Sequence, residues 1–195
     1  MASIPIFPLN TVLFPKCKLP LQIFEPRYLD MLSQSLKAGS GFVIALAKST
    51  HQTAIMPKVY CVGTLTQIVD FGQLPNGLLG VTVMGQDKVV IGSGWLEDSG
   101  LMVAEVSPLP IEQSISLPKK YQCLAEVLGA LLAHPIVAEL EVSSNLSNGL
   151  IVGWQLANYL PFSLQQKQLL LELNNPLLRL AQISHLLDDM AQAAV

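Results

Sequence analysis

The sequence predicts an α+β chain in two successive parts: a β-rich, barrel-like part over residues 1–112 and a helical bundle of about four helices over residues 113–195. Up to about Pro110, short apolar runs are punctuated by Gly, Pro and Asn, as in strands joined by tight turns. After Ile115 the apolar residues fall at helical spacing and glycine becomes rare. Between the two lies "PLPIEQSISLP", Pro108 to Pro118, which reads as a linker. A chain of 195 residues is long enough to bury roughly 70% of its unfolded surface. Apolar residues make up 51% and charged residues 13%, against about 25% charged in an average domain. That composition argues against disorder. It also predicts more apolar surface than one chain hides, so a protein partner or a homodimer is compatible with it.

In order along the chain, "SIPIF" and "TVLF" read as short strands flanked by prolines. "KLPLQIF" places Leu19, Leu21 and Ile23 on one face of a strand. Pro15, Pro20 and Pro26 fix three changes of direction. Pro26 then suits a first helical turn, Leu29, Leu32 and Leu36 give a stripe, and Gly39 is a natural stop. "FVIALAK" reads as a buried strand. "VYCVGTLTQIVDF" is a longer one with Gly63 as a bend or bulge site. Pro75-Asn76-Gly77 is a turn signal, after which "LLGVTV", "KVVIG" and "LMVAEVS" follow as strands. Such strands suggest a closed or nearly closed antiparallel barrel, which protects its edges.

In the second part a helix opens at Pro118, with Tyr121, Leu124, Ala125, Leu128, Leu131 and Leu132 as its stripe, and stops at Pro135. A second spans about Asn148 to Tyr159. A third opens at Ser163 with capping-box spacing to Gln166. A fourth opens with Asn175 and Pro176, and its stripe is Leu180, Ile183, Leu187 and Met190.

The chemistry in the sequence is sparse. His51, His134 and His185 are isolated, with no His or Cys at ligand spacing, so no metal is expected. There is no phosphate-binding G-x-x-x-x-G-K-[ST] loop, and the glycines of "VMGQDKVVIGSGWLEDSG" continue a strand pattern, so no nucleotide cofactor is expected. There is no G-x-S-x-G elbow, and Lys48-Ser49 lacks the desolvation a catalytic lysine requires, so no catalytic residue is assigned. The net charge is −3 and only Arg27 and Arg179 are arginines, which disfavours a nucleic-acid partner. Val142–Gln166 carries no charge, but Ser, Asn, Gln and Pro161 break it well short of a membrane span. The N-terminus has no basic region before its apolar residues, so no secretory signal is expected. Cys17, Cys61 and Cys123 then read as reduced thiols of a cytoplasmic protein. Glu25 and Arg27 flank Pro26 at the strand-to-helix corner, and if that corner is buried the two charges need partners.

"IPIFPLNTVLFPKCKLPLQIFEPRYLDML", Ile4 to Leu32, resembles the opening of the Lon protease N-terminal domain. "VGTLTQI…LPNGLLGVTVMGQDKVVI" resembles that family's strand meander. "LANYLPFSLQQKQLLLELNNPLLRLAQISHLL" resembles its helical end. The resemblance implies a PUA-like pseudobarrel with one crossing helix, followed by a helical bundle. It makes Pro15, Pro20, Glu25, Arg27 and Arg179 architectural, with Tyr28 at the same corner. Two departures are Lys88 where the family usually has arginine, which loses a bidentate contact, and Asn76 for aspartate in the turn. A full Lon protease continues into ATPase and serine–lysine peptidase domains, and this sequence stops after the helical end at Val195.

The resemblance therefore implies a stand-alone, non-catalytic module that binds unfolded polypeptide segments or a protein partner. Its candidate aromatics are Phe14, Phe24, Tyr28, Trp154 and Tyr159, with most of them also readable as core, and the contact surface is expected where barrel and bundle meet. The alternatives are an RNA-binding barrel and a small hydrolase with an unrecognised site.

Overall fold

The computed structural model describes residues 2–48 and 56–193. His51 and Ser49 lie outside the described residues. The chain is a mixed α+β protein that divides into two compact units, residues 1–109 and 110–195. The division falls three residues before the sequence placed it, so Glu112 belongs to the second unit.

Among the described residues the first unit holds six strands: β1 (Ala2–Leu9), β2 (Lys18–Ile23), β3 (Val43–Leu46), β4 (Val62–Gln73), β5 (Leu79–Leu96) and β6 (Met102–Pro108). Their order is β2-β5-β4-β3-β1-β6, and β5 also pairs with β6. Five strands therefore pair in a closed cycle, and β2 is a sixth that pairs with β5 alone. Closure removes strand edges, as the turn-rich pattern suggested. The pairing is not all antiparallel, because β1 and β3 run parallel. A parallel pair needs a long crossover between its strands, and here the chain supplies β2 and helix α1 (Pro26–Ala38).

Several local expectations change. Thr11–Phe14 is not a strand. That segment is held by a side chain instead: the buried Thr64 hydroxyl donates to the Leu13 carbonyl at 2.6 Å. At the turn that follows, Lys16 N–H donates to the Gly85 carbonyl at 2.8 Å. A Cβ on Gly85 would lie 2.3 Å from the Phe14 oxygen, so only glycine lets these two backbones meet. "LLGVTV" and "KVVIG" are one continuous strand, β5. Gly63 pairs regularly with Val89, and the irregularities of β4 come after it, between Thr64 and Thr66 and between Ile68 and Asp70.

Alternation along β1 builds the core. Ile6 points into a cluster with Val43, Ala45, Val89, Ile91 and Ala104. Phe7, on the opposite face, stacks on Tyr28 of α1 with ring centroids 4.1 Å apart. The buried face of α1 is Tyr28, Met31, Leu32 and Ser35. The expected stripe was offset: Leu32 is buried, but Leu36 is exposed. Pro26 does open the helix, and Gly39 ends it at φ 60°.

The second unit has a single 3-10 turn (Lys119–Tyr121) and helices α2 (Gln122–Leu132), α3 (Pro135–Ala138), α4 (Gly149–Tyr159), α5 (Leu164–Glu172) and α6 (Pro176–Ala193). The four long helices are those read from the sequence, and α3 is an additional single turn that Pro135 begins. The caps are as expected. Asn148 Oδ1 accepts from the N–H groups of Leu150 and Ile151. Ser163 and Gln166 form a reciprocal capping box, and Asn175 Oδ1 accepts from Leu177 and Leu178. α4 is buried almost all round, from Gly149 to Ala157. A helix apolar on every side belongs at the centre of its unit. Of the expected α6 stripe, Leu180 and Ile183 are fully buried, whereas Met190 is exposed.

Candidate functional site

The five aromatic candidates are divided between the two units. Phe14 is fully buried in the first unit, and Tyr28 is buried beneath Phe7. In the second unit, Trp154 is buried on α4 near the Arg179 guanidinium, and Tyr159 is half-buried. Only Phe24 presents its ring to solvent, at 67% exposure.

Phe24 follows β2, at the corner where the sequence places its densest motif. Glu25 is the N-cap residue of α1, with extended backbone and no capping hydrogen bond from its side chain. Its carboxylate instead pairs with Arg27 at 2.6 Å. The pair is not buried: the side chains are 32% exposed for Arg27 and 41% for Glu25. An ion pair so exposed contributes about 0–1 kcal/mol. Arg27 Nη1 also donates to the Gly100 carbonyl at 3.0 Å, which ties the helix start to the turn before β6. The guanidinium lies 4.8 Å from the Tyr28 ring centroid. Burial raises the pKa of the Tyr28 phenol, the Arg27 charge lowers it, and Glu25 adds a smaller upward push.

Two grooves meet beside this corner. One, of about 370 Å³, is lined by the end of β1, by Ile23–Glu25, and by Arg27, Tyr28 and Pro57. The other, of about 400 Å³, lies over β2, the end of β4, the start of β5, and the turn residue Leu74. Both volumes are within the usual range of ligand-binding pockets. Gln22 lines both. Phe24 lines the first, and Phe71, 58% exposed, is among the residues of the second, although its row, Leu21–Val81–Phe71, turns its side chains to the other face of the sheet from Gln22. The second groove is hollow for a sequence reason. In register, Gln22 faces Gly80, and Gly80 faces Gly72, so that row has no side chain beyond Gln22. A Cβ on Gly80 would lie 2.8 Å from the Leu74 side chain, which folds over this row. Phe71, Leu74 and Gln22 were not singled out from sequence, although an aromatic next to the glycine of "DFGQ", just before the turn, was the available signal.

The architectural residues fall as follows. Pro15 is buried in the turn before β2, and Pro20 is exposed on β2. Lys88 is buried on β5, and its carbonyl accepts from the Leu109 N–H at 3.0 Å. Arg179 is fully buried in the second unit. Its Nη1 and Nη2 grip the Glu112 carboxylate in a bidentate pair, both at 2.7 Å, its Nε donates to the Leu170 carbonyl at 3.0 Å, and Nη2 also reaches the Leu173 carbonyl. One guanidinium thus satisfies the C-terminal carbonyls of α5 and fixes the segment before α2. Glu112 was missed because it sits in the stretch read as a linker.

Among the described residues no group of His, Cys, Asp and Glu could hold a metal ion. No helix among them is long and apolar enough to cross a membrane. His185 is exposed and meets Asp189 at 2.9 Å, and His134 is the exposed N-cap residue of α3. Cys17 is buried, whereas Cys61 and Cys123 are exposed.

A closed strand cycle with helix α1 between two of its strands, followed by a second, helical unit, defines a mixed α+β protein. Residues 3–189 match the family described as the ATP-dependent protease La (LON) substrate-binding domain, and the chain belongs to that family. It is 28% identical over 203 residues to Lon protease 2 of Herpetosiphon aurantiacus, covering 96% of this chain and 24% of that protein. It is 23% identical over 193 residues to Lon protease of Endomicrobium trichonymphae, again covering 24% of the relative. The chain thus spans about a quarter of the length of the curated relatives it matches. The matched region is the family's substrate-binding part, not its ATPase or peptidase part. A Lon N-terminal domain protein from Xanthomonas campestris has a crystal structure that superposes with a TM-score of 0.77 at 30% identity, covering 95% of this chain and 98% of that one. The N-terminal domain of Mycobacterium avium complex Lon protease shares the fold at 19% identity, with a TM-score of 0.61.

Proposed function

We propose that this chain is a non-catalytic recognition module that binds extended apolar segments of unfolded polypeptides, in the manner of the substrate-binding part of a Lon protease. The observation that carries the reading is the pair of grooves that share Gln22, with the exposed Phe24 ring in the lining of the first. A large apolar ring left in solvent beside a hollow has no folding reason to be there, and aromatic anchors are what polypeptide interfaces use. The family membership supports the same role. Within this reading the first unit is a PUA-like pseudobarrel, the second a helical bundle, and the setting cytoplasmic. A homodimer is compatible with the exposed apolar side chains of the second unit, such as Leu169 and Leu178.

The test is fluorescence anisotropy with a labelled, permanently unfolded protein, one reduced and carboxymethylated at its cysteines. The chain should bind it. Phe24→Ala with Phe71→Ala should weaken binding by roughly tenfold or more, the size of an interface hot spot. Leu178→Ala on α6 should leave it unchanged. Equal binding by the double variant, or tight binding of RNA in its place, would sink the proposal.

A further inference from the structure

The closed cycle of strands leaves β2 outside it, and the register shows which of its backbone groups are spare. Gly85 N–H donates to the Cys17 carbonyl at 2.9 Å, one step before the Lys18–Met84 pair. Antiparallel pairs alternate between bonded and non-bonded. Leu19, Leu21 and Ile23 therefore turn their N–H and C=O groups toward β5, and Lys18, Pro20 and Gln22 turn theirs away from it. Pro20 agrees with this parity, because a proline is tolerated in a sheet only where its missing N–H would face outward. Pro20 and Gln22 are both exposed, and no described strand pairs with β2 on that side. The outer edge thus presents one complete donor–acceptor pair at Gln22 and one acceptor at Pro20, and Gln22 is where the two grooves meet.

We infer that the bound polypeptide is an added β-strand on β2, paired through the Gln22 backbone, with its side chains in the two grooves. This rests on the recognition role proposed above and specifies its mode. A residue paired with Gln22 sends its side chain to the same face as Gln22, where Gly72 is open and the Leu74 side chain covers Gly80. Its neighbours along the strand point to the other face. Backbone pairing gives affinity without demanding a sequence, and the hollows select large apolar side chains at alternate positions. Pro20 removes a donor on one side of Gln22, so the paired stretch is short, which blunts the edge against sheet-to-sheet aggregation. Charge limits the occupant further. The ionised groups lining the two grooves are Glu25, Arg27 and Asp70, and Arg27 is already held by Glu25. The lining is net negative by one charge. The preferred segment is therefore apolar in alternation, free of acidic residues, and flanked by a basic one.

The probe is a fluorescein-labelled octapeptide of alternating valine and phenylalanine with one terminal lysine. It is compared with two copies N-methylated on alternate amides in either frame. The copy methylated in the frame whose amides face β2 should bind the full chain roughly tenfold more weakly than the copy methylated in the other frame, the scale of one or two lost hydrogen bonds. Gln22→Pro removes the spare donor at an exposed edge position and should weaken the unmodified peptide by a similar factor with an unchanged circular dichroism spectrum. Glutamate in place of the lysine should weaken binding by about two- to fivefold, the scale of an exposed charge contact. If Gln22→Pro fails to fold, the methylated peptides on the unaltered chain decide. Binding that is insensitive to N-methylation in both frames, yet lost with Phe24→Ala, overturns strand addition and leaves the groove reading intact. No binding by any of these peptides or by the unfolded protein overturns both.

Discussion

The chain contains two glutamate–arginine pairs, one in each unit, and they do opposite things. Glu25–Arg27 sits at the strand-to-helix corner of the first unit with 32% of the Arg27 side chain and 41% of the Glu25 side chain in water. Glu112–Arg179 sits in the second unit with both side chains wholly out of water. The contacts are similar in length, 2.6 and 2.7 Å, so distance says nothing about their weight. Burial decides it. In water the first pair is screened, and its members line the rim of a groove. Out of water, the second cannot lose one partner without stranding a charge. Arg179 also closes the carbonyl end of α5, so its removal leaves several polar groups unmet at once.

This contrast can be broken most severely at Glu112. Glu112→Ala should cost about 3–5 kcal/mol of stability, read as a fall in the urea midpoint, because it leaves Arg179 buried and unpaired. Replacing both partners, Glu112→Leu with Arg179→Met, should restore a large part of that loss. A double variant no more stable than the single one would show that the backbone carbonyls, not the carboxylate, are what Arg179 serves. Next in size is a backbone contact in the first unit. Gly85→Ala should cost about 1–3 kcal/mol, since its methyl group meets the Phe14 carbonyl. Asn148→Ala removes the cap of α4 and should cost about 1 kcal/mol by thermal denaturation. Arg27→Ala should cost no more than about 1 kcal/mol, which would place it firmly apart from Arg179.

The same Arg27 variant sharpens the comparison through Tyr28. Burial raises the phenol pKa and Arg27 opposes the rise, so Arg27→Ala should move it higher still in a spectrophotometric titration. The sign for stability follows from linkage. The unfolded phenol ionises first, near pH 10, while the folded one keeps its proton. The contribution of Tyr28 is therefore complete below pH 10 and declines as pH rises toward the folded value. Tyr28→Phe should flatten the alkaline limb, and an unchanged limb would mean that other groups control it.

Much of the architecture was legible in residues. The caps at Asn148, Ser163 and Asn175, the start at Pro26 and the stop at Gly39 are local hydrogen-bonding and φ requirements, and each was read correctly. The offset of the α1 stripe was not, because periodicity fixes a spacing but not which neighbour covers each side, and Phe7 covers Tyr28 rather than Leu29. Thr11–Phe14 looked like a strand because Val12, Leu13 and Phe14 are apolar, yet it is buried as a loop with its carbonyl satisfied by Thr64.

For the site, the sequence singled out the right corner and an assortment of aromatics of which one, Phe24, reaches solvent. It could not show that Phe71, Leu74 and the Gly72–Gly80 row lie beside β2, because that neighbourhood arises only through strand register. By itself the sequence determined the two-part division, most element boundaries, the helix caps and the family motifs, since these depend on residues within a turn or two of each other. Tertiary structure alone decided the closed cycle with its parallel pair, the joining of Glu112 to Arg179 across 67 positions, and the exposed edge at Gln22. Those are matters of which distant segments exclude water from one another, and no local pattern encodes that.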